Sequence, residues 1–387
     1  MSNILLIIPF IFSILLLIFF KKRVKWWEYT ILIISGIIIN FIIVAIMKDY
    51  NCKDVQYLGD YIKEVRYYES WDEWVHRTCH RTHRDSKGHT HTTSYDCSFR
   101  RYHPANWVMI TSEKKTYDIS KDDYERIIKM WKTPNRFVDM HRRYHTKDGD
   151  MYSSFWDLDC NTIIPVTIKD NYSNKIKGSK SVFNFEYISK KEAQEYGLYE
   201  YPELGKYKFP LPLKVNNNTY QKSVLGFDDA FLEKKIDYIN AFYGPSKHIR
   251  TYLLFFKDKP HNLGFLQQSY WEGGNFNEHI ICLGLNTKTN KIDWCETFSW
   301  ENNPILSVKT KQWFNTNDSI ASLKQFPIWY ESMLKQNVWK CKDRNDFNYL
   351  KTELTNKQLI WLLIISLIIC IGISLWTLLN NYNNYVD

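Results

Sequence analysis

The chain lacks the short motifs by which most enzymes declare themselves. It has no Gly-x-Ser-x-Gly, P-loop, Rossmann glycine fingerprint or paired Cys-x-x-Cys. No nucleophile elbow, glycine-built phosphate cradle or dithiol redox pair can therefore be assigned. Internal repeats are also missing, which excludes solenoids and propellers. No Asp, Glu, Lys or Arg lies deep in any of its long apolar runs, so an intramembrane proton or ion relay is excluded as well.

What the chain does have is three apolar runs: Ile4 to Phe20, Trp27 to Met47, and Leu359 to about Leu379. At 1.5 Å of helix per residue each reaches across most or all of a ~30 Å hydrocarbon core. Pro9 interrupts the first, at a position where a missing N–H is tolerated. Between the second and third lies a hydrophilic region, 48–356. The expected architecture is an α+β ectodomain, a mixed sheet with β-hairpins and several helices, anchored by three transmembrane helices and by contact with the lipid bilayer.

Charge sets the expected orientation. Lys21, Lys22, Arg23 and Lys25 cluster in the first connector, and such clusters stay cytoplasmic. That places the N-terminus outside, the large region extracytoplasmic and the C-terminus cytoplasmic. A cleaved signal peptide is the rival reading, against which stand an uncharged n-region and no small-x-small cleavage site. The expected division is 1–47 (two-helix hairpin), 48–225 (a His/Cys-bearing part), 226–356 (an α/β part), 357–379 (last helix) and 380–387 (tail).

Aromatics make up 17% of the residues, enough for a sizeable core rather than a disordered tail. The formal charge is +9, of which the stretch 48–358 carries +7. A mild basic excess favours anionic surfaces such as lipid head groups or acidic glycans. No nucleic-acid-binding motif accompanies it, so no nucleic acid partner is expected.

Seven of eight cysteines lie in the exposed region, where disulfides form if that region is exported. A hairpin centred between Lys288 and Thr289 sets Cys282 opposite Cys295 and predicts a bond there. Cys79 and Cys97 flank a polar loop and form the second expected pair. Cys52 and Cys341, each close to an apolar run, form the third. Cys160 is left over, which suits a buried thiol or a bond to another chain.

The stretch from Trp71 to Trp107 concentrates six histidines, His76, His80, His83, His89, His91 and His103. Arg77, Arg81, Arg84, Arg100 and Arg101 are interleaved with them. Asp85-Ser86-Lys87-Gly88 reads as a turn between strands, so the stretch predicts a hairpin closed by Cys79 and Cys97. Strand parity would bring His83, His89 and His91 together as zinc or copper ligands, zinc being the cofactor the pattern admits. The spacing matches no single standard zinc motif, and solvent-facing decoration is the plainer reading. His76, His80, Arg81, Arg84, Arg100 and Arg101 are the candidate contacts for a protein or anionic partner. Because imidazole takes up a proton near pH ~6.5, mild acidification would add charge to an already basic strip.

Elsewhere, Ser120-Lys-Asp-Asp123 predicts a capped helix carrying Tyr124, Ile127, Ile128 and Trp131 on one face. His141 and His145 are spaced i, i+4 but have two arginines between them and no metalloprotease glutamate. Asp228 is placed to cap a helix ending at Gly244-Pro245, followed by a strand 250–256, a helix 263–271, the 278–300 hairpin and a helical stretch 319–340 broken at Pro327. Glu272, Glu278, His279, Asp293 and Glu296 form the best carboxylate set for acid–base work, although alternate strand residues more often face solvent. Three function classes remain. The first is a disulfide-stabilised binding ectodomain. The second is a metal-dependent extracytoplasmic enzyme, and the third a structural membrane component forming homo-oligomers.

Overall fold

A computed structural model describes residues 7–20, 24–131, 135–139, 151–155, 163–179, 185–206 and 219–383, with backbone only at 135–139, 151–155 and 381–383. Cys160, His141, His145, Lys21 to Arg23 and the end of the tail lie outside the described residues. The chain divides into two compact units. One comprises 1–55, 171–185 and 343–387, the other 56–170 and 186–342. No unit boundary falls near residue 225; the chain passes between units near 55, 170, 185 and 342.

The first unit is built on three helices, α1 (Ile8–Phe20), α2 (Trp26–Cys52) and α9 (Asn356–Asn383). Each packs on the other two. Among the described residues only α2 and α9 are long and apolar enough to cross a membrane; α1 is a shorter apolar helix of 13 residues. Two such helices support membrane association. Their packing follows from small residues: a Cβ on Gly36 would come within 2.7 Å of the Pro9 ring, and Cys370 Sγ is the next neighbour at 4.0 Å. Ser13, Asn40, Ser366, Cys370, Ser374 and Thr377 are buried among the helices while the isoleucines and leucines of the outer faces are exposed. That inversion of the soluble pattern is what lipid-facing helices require.

Outside the helices, the same unit folds 171–179 and 343–355 into a small collar. Asn174 Nδ2 and Lys177 Nζ both donate to the Asp54 carboxylate, each at 2.9 Å. Ser179 Oγ donates to Lys351 O at 3.0 Å, and Glu353 N to Gly178 O at 2.8 Å. Cys52 is a free, buried thiol here, 3.3 Å from Thr352 Oγ1. Cys341 belongs to the second unit, where its thiol donates to Phe276 O at 2.9 Å. No disulfide joins it to Cys52, so the expected Cys52–Cys341 bond is not formed.

The second unit contains two main sheets. A six-stranded antiparallel-rich sheet runs β7 (Thr116–Ile119), β6 (Asn106–Thr111), β1 (Lys53–Tyr68), β9 (Met151–Phe155), β8 (Asn135–Asp139), with β10 (Pro165–Ser173) also on β1. Helix α3 (Lys121–Met130) covers it, capped as expected by Ser120, whose side chain accepts from Asp123 N–H at 3.1 Å. Ile62, Val65, Met109, Ile127, Trp131, Ile164 and Val166 form its core.

The other sheet runs β11 (Val224–Leu225), β12 (Arg250–Lys257), β13 (Glu278–Asn286), β14 (Lys291–Ser299); the first three are parallel and β14 is antiparallel. β12 reads Thr-Tyr-Leu-Leu-Phe-Phe and is buried on both faces, as a central parallel strand must be. One face packs on α5 (Ala230–Lys247), α7 (Ile305–Thr316) and α8 (Phe326–Lys335); the other on α4 (Lys190–Tyr196) and α6 (Leu263–Tyr270). α5 and β1 approach so closely that a Cβ on Gly59 would lie 2.0 Å from Asn240 O.

Several sequence expectations shift by a residue or a turn. Asp229, not Asp228, caps α5, and the helix continues past Pro245 to Lys247. Pro327 does not break a helix but starts α8, following a 3₁₀ turn at Ile320–Lys324. The largest correction concerns Cys282 and Cys295. Leu285↔Ile292 and Asn286↔Lys291 keep the expected hairpin register, but a bulge after Gly284 places Cys282 opposite Glu296 and Leu283 opposite Cys295. Trp294 lies across Gly284, where a Cβ would be 1.9 Å from its Nε1. One residue of slip puts side chains on opposite faces. Cys282 joins the α6 core and Cys295 the α5 core, and both are free.

Candidate functional site: an exposed histidine and arginine arm

β1 and β6 do not end at the sheet. Their antiparallel register continues without a step through β2 (Trp71–Val75) with β5 (Phe99–His103), and β3 (Thr78–Arg84) with β4 (Thr90–Asp96). Tyr68↔Asn106, Trp71↔His103, Val75↔Phe99, Thr78↔Asp96 and Arg84↔Thr90 belong to one ladder. From Trp71 to Arg84 this arm is roughly 45 Å long at ~3.3 Å per residue. Most of its side chains are exposed. Asp85 makes the tip: its carboxylate accepts from Lys87 N–H (2.9 Å) and His89 N–H (2.8 Å), and Gly88 supplies the left-handed residue, φ 84°.

The expected Cys79–Cys97 disulfide is present, with Cα atoms 5.8 Å apart. Cys79 lies opposite Tyr95 and Cys97 bonds to Arg77 O, so the link runs diagonally across the ladder and staples the arm midway. Beyond it, two strands hold each other by the backbone ladder and a few exposed side-chain contacts, a marginal arrangement in water.

Of the three expected metal ligands, the structure brings two together. His83 and His91 are directly opposite, their rings stacked with centroids 5.7 Å apart. His89 sits in the tip, its backbone engaged by Asp85, and His91 Nε2 is 3.4 Å from Asp85 Oδ2. Among the described residues no three His, Cys, Asp or Glu side chains are grouped to hold a metal ion. A closed structural zinc site takes four ligands, and this pair offers two.

The arm's two faces differ. Odd-numbered side chains bond one another: Trp71 stacks on His103 at 4.2 Å, His103 Nε2 meets Glu73 at 2.9 Å, and Arg101 lies 4.0 Å from Glu73 and 5.8 Å from the Phe99 ring centroid. Even-numbered positions carry Trp74, His76, His80, Arg84, Arg100 and Tyr102. Here the contacts are lighter: Trp74 against the edge of His76 at 6.4 Å, His80 Nδ1 with Ser94 Oγ at 2.9 Å, and Arg84 Nε donating to Gly88 O at 3.0 Å. Asp96 accepts from Ser98 N–H and hydroxyl, which hold its carboxyl below the usual range. Among the described residues no ion pair engages Arg77, Arg81, Arg84, Lys87 or Arg100.

The carboxylate set proposed for acid–base work does not assemble. Glu278 accepts from Asn275 N–H and Nδ2 (each 2.8 Å) and Tyr201 OH (2.9 Å), fully buried on the α6 face. His279 points to the other face, and Glu296 is bound by Lys311 and His261. Asp293 accepts from Asn286 at the hairpin end. What sequence reading missed is a buried polar seam through this sheet. Arg250, 2% exposed, donates to Thr167 Oγ1, Gln221 O and Ser223 Oγ at 3.0–3.2 Å. Asp237 and Tyr220 share a bond at 3.1 Å, and burial pushes the Asp237 carboxyl up to about 7 despite Arg250. His279 lies between Tyr330 OH (2.6 Å) and Ser307 Oγ (3.3 Å), and burial lowers its imidazole to about 3. A neutral imidazole beside a serine has the elements of a nucleophile pair. With His279 wholly enclosed and Ser307 also buried, it packs the core rather than meeting substrate. Nothing in the local sequence distinguishes these residues from surface ones, because β12 and β13 carry charged and amide groups only at their ends, where solvent exposure is the ordinary expectation.

Comparison with protein-family models, with curated proteins and with solved structures gives no match for this chain.

Proposed function

We propose that the protein is a membrane-anchored extracytoplasmic binding domain whose β2–β5 arm is its contact element. The carrying observation is the arm itself: a single-register, disulfide-stapled ladder with cationic side chains that have no ion pair among the described residues. A two-stranded extension buries little and adds little to stability, so its charge and exposed rings are consistent with recognition. All three helices cross the bilayer in this reading, the basic connector on the cytoplasmic side and the arm outside. The disulfide supports that side, being a feature of oxidising compartments.

Two measurements test it. Ser86→Cys should react with a membrane-impermeant maleimide in intact cells while Lys22→Cys reacts only after permeabilisation; the reverse pattern refutes the orientation. For contact, residues 77–97 are replaced by Asn-Gly, which can join the opposed positions His76 and Ser98 as a two-residue turn. A photo-crosslinker at Arg100 should capture a partner in the full-length protein and lose it in the shortened one. Equal capture by both would refute the arm's role.

A further inference from the structure

The arm's exposed even-numbered face combines flat rings with guanidinium groups. Tyr102 is 65% exposed and Trp74 45%. Trp74 is opposite Arg100 and Asp72 is opposite Tyr102, so Trp74 and Tyr102 are diagonal neighbours on one face with Arg100 adjacent to both. His76 lies beside Trp74, His80 two same-face pairs beyond it, and Arg84 near the tip. From Tyr102 to the level of Arg84 the strip extends about 40 Å at ~3.3 Å per residue, with Thr78, Thr82, Thr90, Thr92 and Ser94 supplying hydroxyls between the larger groups. Two acids share the face. Asp96 is already satisfied by Ser98, and Asp72 marks the proximal limit.

We infer that this face binds an extended acidic glycan, a deepening that rests on the reading of the arm as the contact element. Tyr102, Trp74, His76 and His80, exposed in succession along the strip, offer ring platforms for the C–H faces of sugar rings. Arg100, opposite Trp74, and Arg84, near the tip, are placed to pair carboxylate or sulfate groups bidentately. The two guanidinium groups, Arg100 on β5 and Arg84 on β3, stand near opposite ends of the strip and do not converge, which suits a linear polyanion rather than one compact anion. A lipid surface fits less well: the tip, Asp85 to Gly88, has no apolar side chain, and Trp74 and Tyr102 lie at the far end of the arm from it. The opposite face carries the disulfide, the Trp71–His103 stack and the Glu73 ion pairs along with Arg77 and Arg81, and no Trp or Tyr there lies directly opposite an arginine, so the two faces predict different mutational sensitivity.

The test uses the full chain in phosphatidylcholine nanodiscs. The probes are heparin-derived oligosaccharide and polygalacturonate, with dextran, poly-L-glutamate and phosphatidylglycerol vesicles beside them. Saturable binding of an acidic oligosaccharide is expected, with none for dextran. Trp74→Ala and Arg100→Gln should each weaken it roughly tenfold, the scale of one lost stacking or charge-assisted contact. Both positions are exposed, and Tyr102→Ala gives a second aromatic variant should Trp74→Ala fold poorly. Phe99→Ala, on the other face, should leave affinity within about twofold. Unchanged binding in both aromatic variants overturns the inference, as does equal or tighter binding to polyglutamate or to the vesicles, or no acidic glycan binding. If glycan binding fails while the crosslink at Arg100 still depends on the arm, only the glycan assignment falls. If the crosslink is also indifferent to the arm, the contact reading falls with it.

Discussion

Asn51 and Gln358 exchange side-chain amides across the first unit: Asn51 Nδ2 donates to Gln358 Oε1 at 2.9 Å and Gln358 Nε2 to Asn51 Oδ1 at 2.6 Å. The pair fastens the end of α2 to the start of α9, so both helices meet the collar on the same side. It takes the place of the covalent tie expected from Cys52 and Cys341. Asn51 also donates to Glu353 O at 2.8 Å, and Gln358 Oε1 also accepts from Thr355 N–H at 2.9 Å. Asn51→Ala and Gln358→Ala each remove three side-chain hydrogen bonds and should cost similar amounts, about 2 kcal/mol apiece. A double-mutant cycle read by thermal unfolding in detergent should show the double variant less destabilised than the sum of the two. Strict additivity would mean the amide exchange contributes nothing.

The disulfide supports only the arm. Reducing or replacing it, as Cys79→Ser with Cys97→Ser, frees a segment with a sequence separation of 18 residues. Such a loop corresponds to ~3 kcal/mol of closure entropy. That loss falls on a segment with no core of its own, so the cost is local opening rather than global unfolding. Hydrogen exchange across 78–96 should accelerate and trypsin should cleave at Lys87 faster, while the transition of the two-sheet unit stays within about 1 kcal/mol. A large fall in that transition would show that the arm folds together with the sheets.

Gly59 is the point where β1 meets α5. Its added Cβ would strike Asn240 O at 2.0 Å and Asn240 C at 2.5 Å, backbone atoms that no rotamer change can move. Gly59→Ala should destabilise the second unit by roughly 3 kcal/mol or more, in the range of severe overpacking. Chemical denaturation should show a lower midpoint. An unchanged midpoint would mean that strand and helix can separate without loss.

How much of this was legible beforehand depends on the range of the interaction. Hydropathy runs and caps are local, so the apolar helices, the Ser120 cap, the β12 strand and the 278–300 hairpin could all be read from sequence. The arm was legible because its turn and its cysteines flank it symmetrically. The bulge after Gly284 was not. It is set by where Trp294 lies, with its Nε1 donating to Lys259 O at 2.9 Å, a contact 35 residues away. Strand β1, sixteen residues long, was missed because the partners that hold it, β6, β9 and β10, come from three distant segments. The seam at Arg250 and Glu278 looked like ordinary surface polarity, since burial is decided by helices packed from elsewhere.

The bulge gives a direct chemical prediction. Cys282 and Cys295 are fully and nearly fully enclosed, and burial pushes both thiols up, further from the reactive thiolate. In folded, unreduced protein neither should react with maleimide. Denaturation without reductant should release both, whereas Cys79 and Cys97 should label only after reduction. Mass spectrometry of the labelled peptides separates the cases. A peptide joining Cys282 to Cys295 would refute the register.

The buried seam should shape stability against pH through two opposed groups. Asp237, raised to about 7, keeps a proton in the fold that the unfolded chain releases near pH 4. Between these values the native state binds more protons, so its contribution to stability falls as pH rises. His279 does the reverse. Lowered to about 3, it stays neutral in the fold while the unfolded imidazole is charged below pH ~6.5, so stability rises with pH from about 3 to 6.5. Over roughly pH 4 to 6.5 the two slopes oppose each other and the wild-type curve should be shallow. Asp237→Asn removes one: the curve should then climb steadily to pH 6.5, with the variant gaining most, relative to wild type, above pH 7. His279→Gln removes the other and should leave stability declining towards pH 7. Urea unfolding at half-unit pH steps measures all three curves. Parallel curves for wild type and Asp237→Asn would mean that Arg250, which opposes the shift, keeps the carboxylate charged throughout.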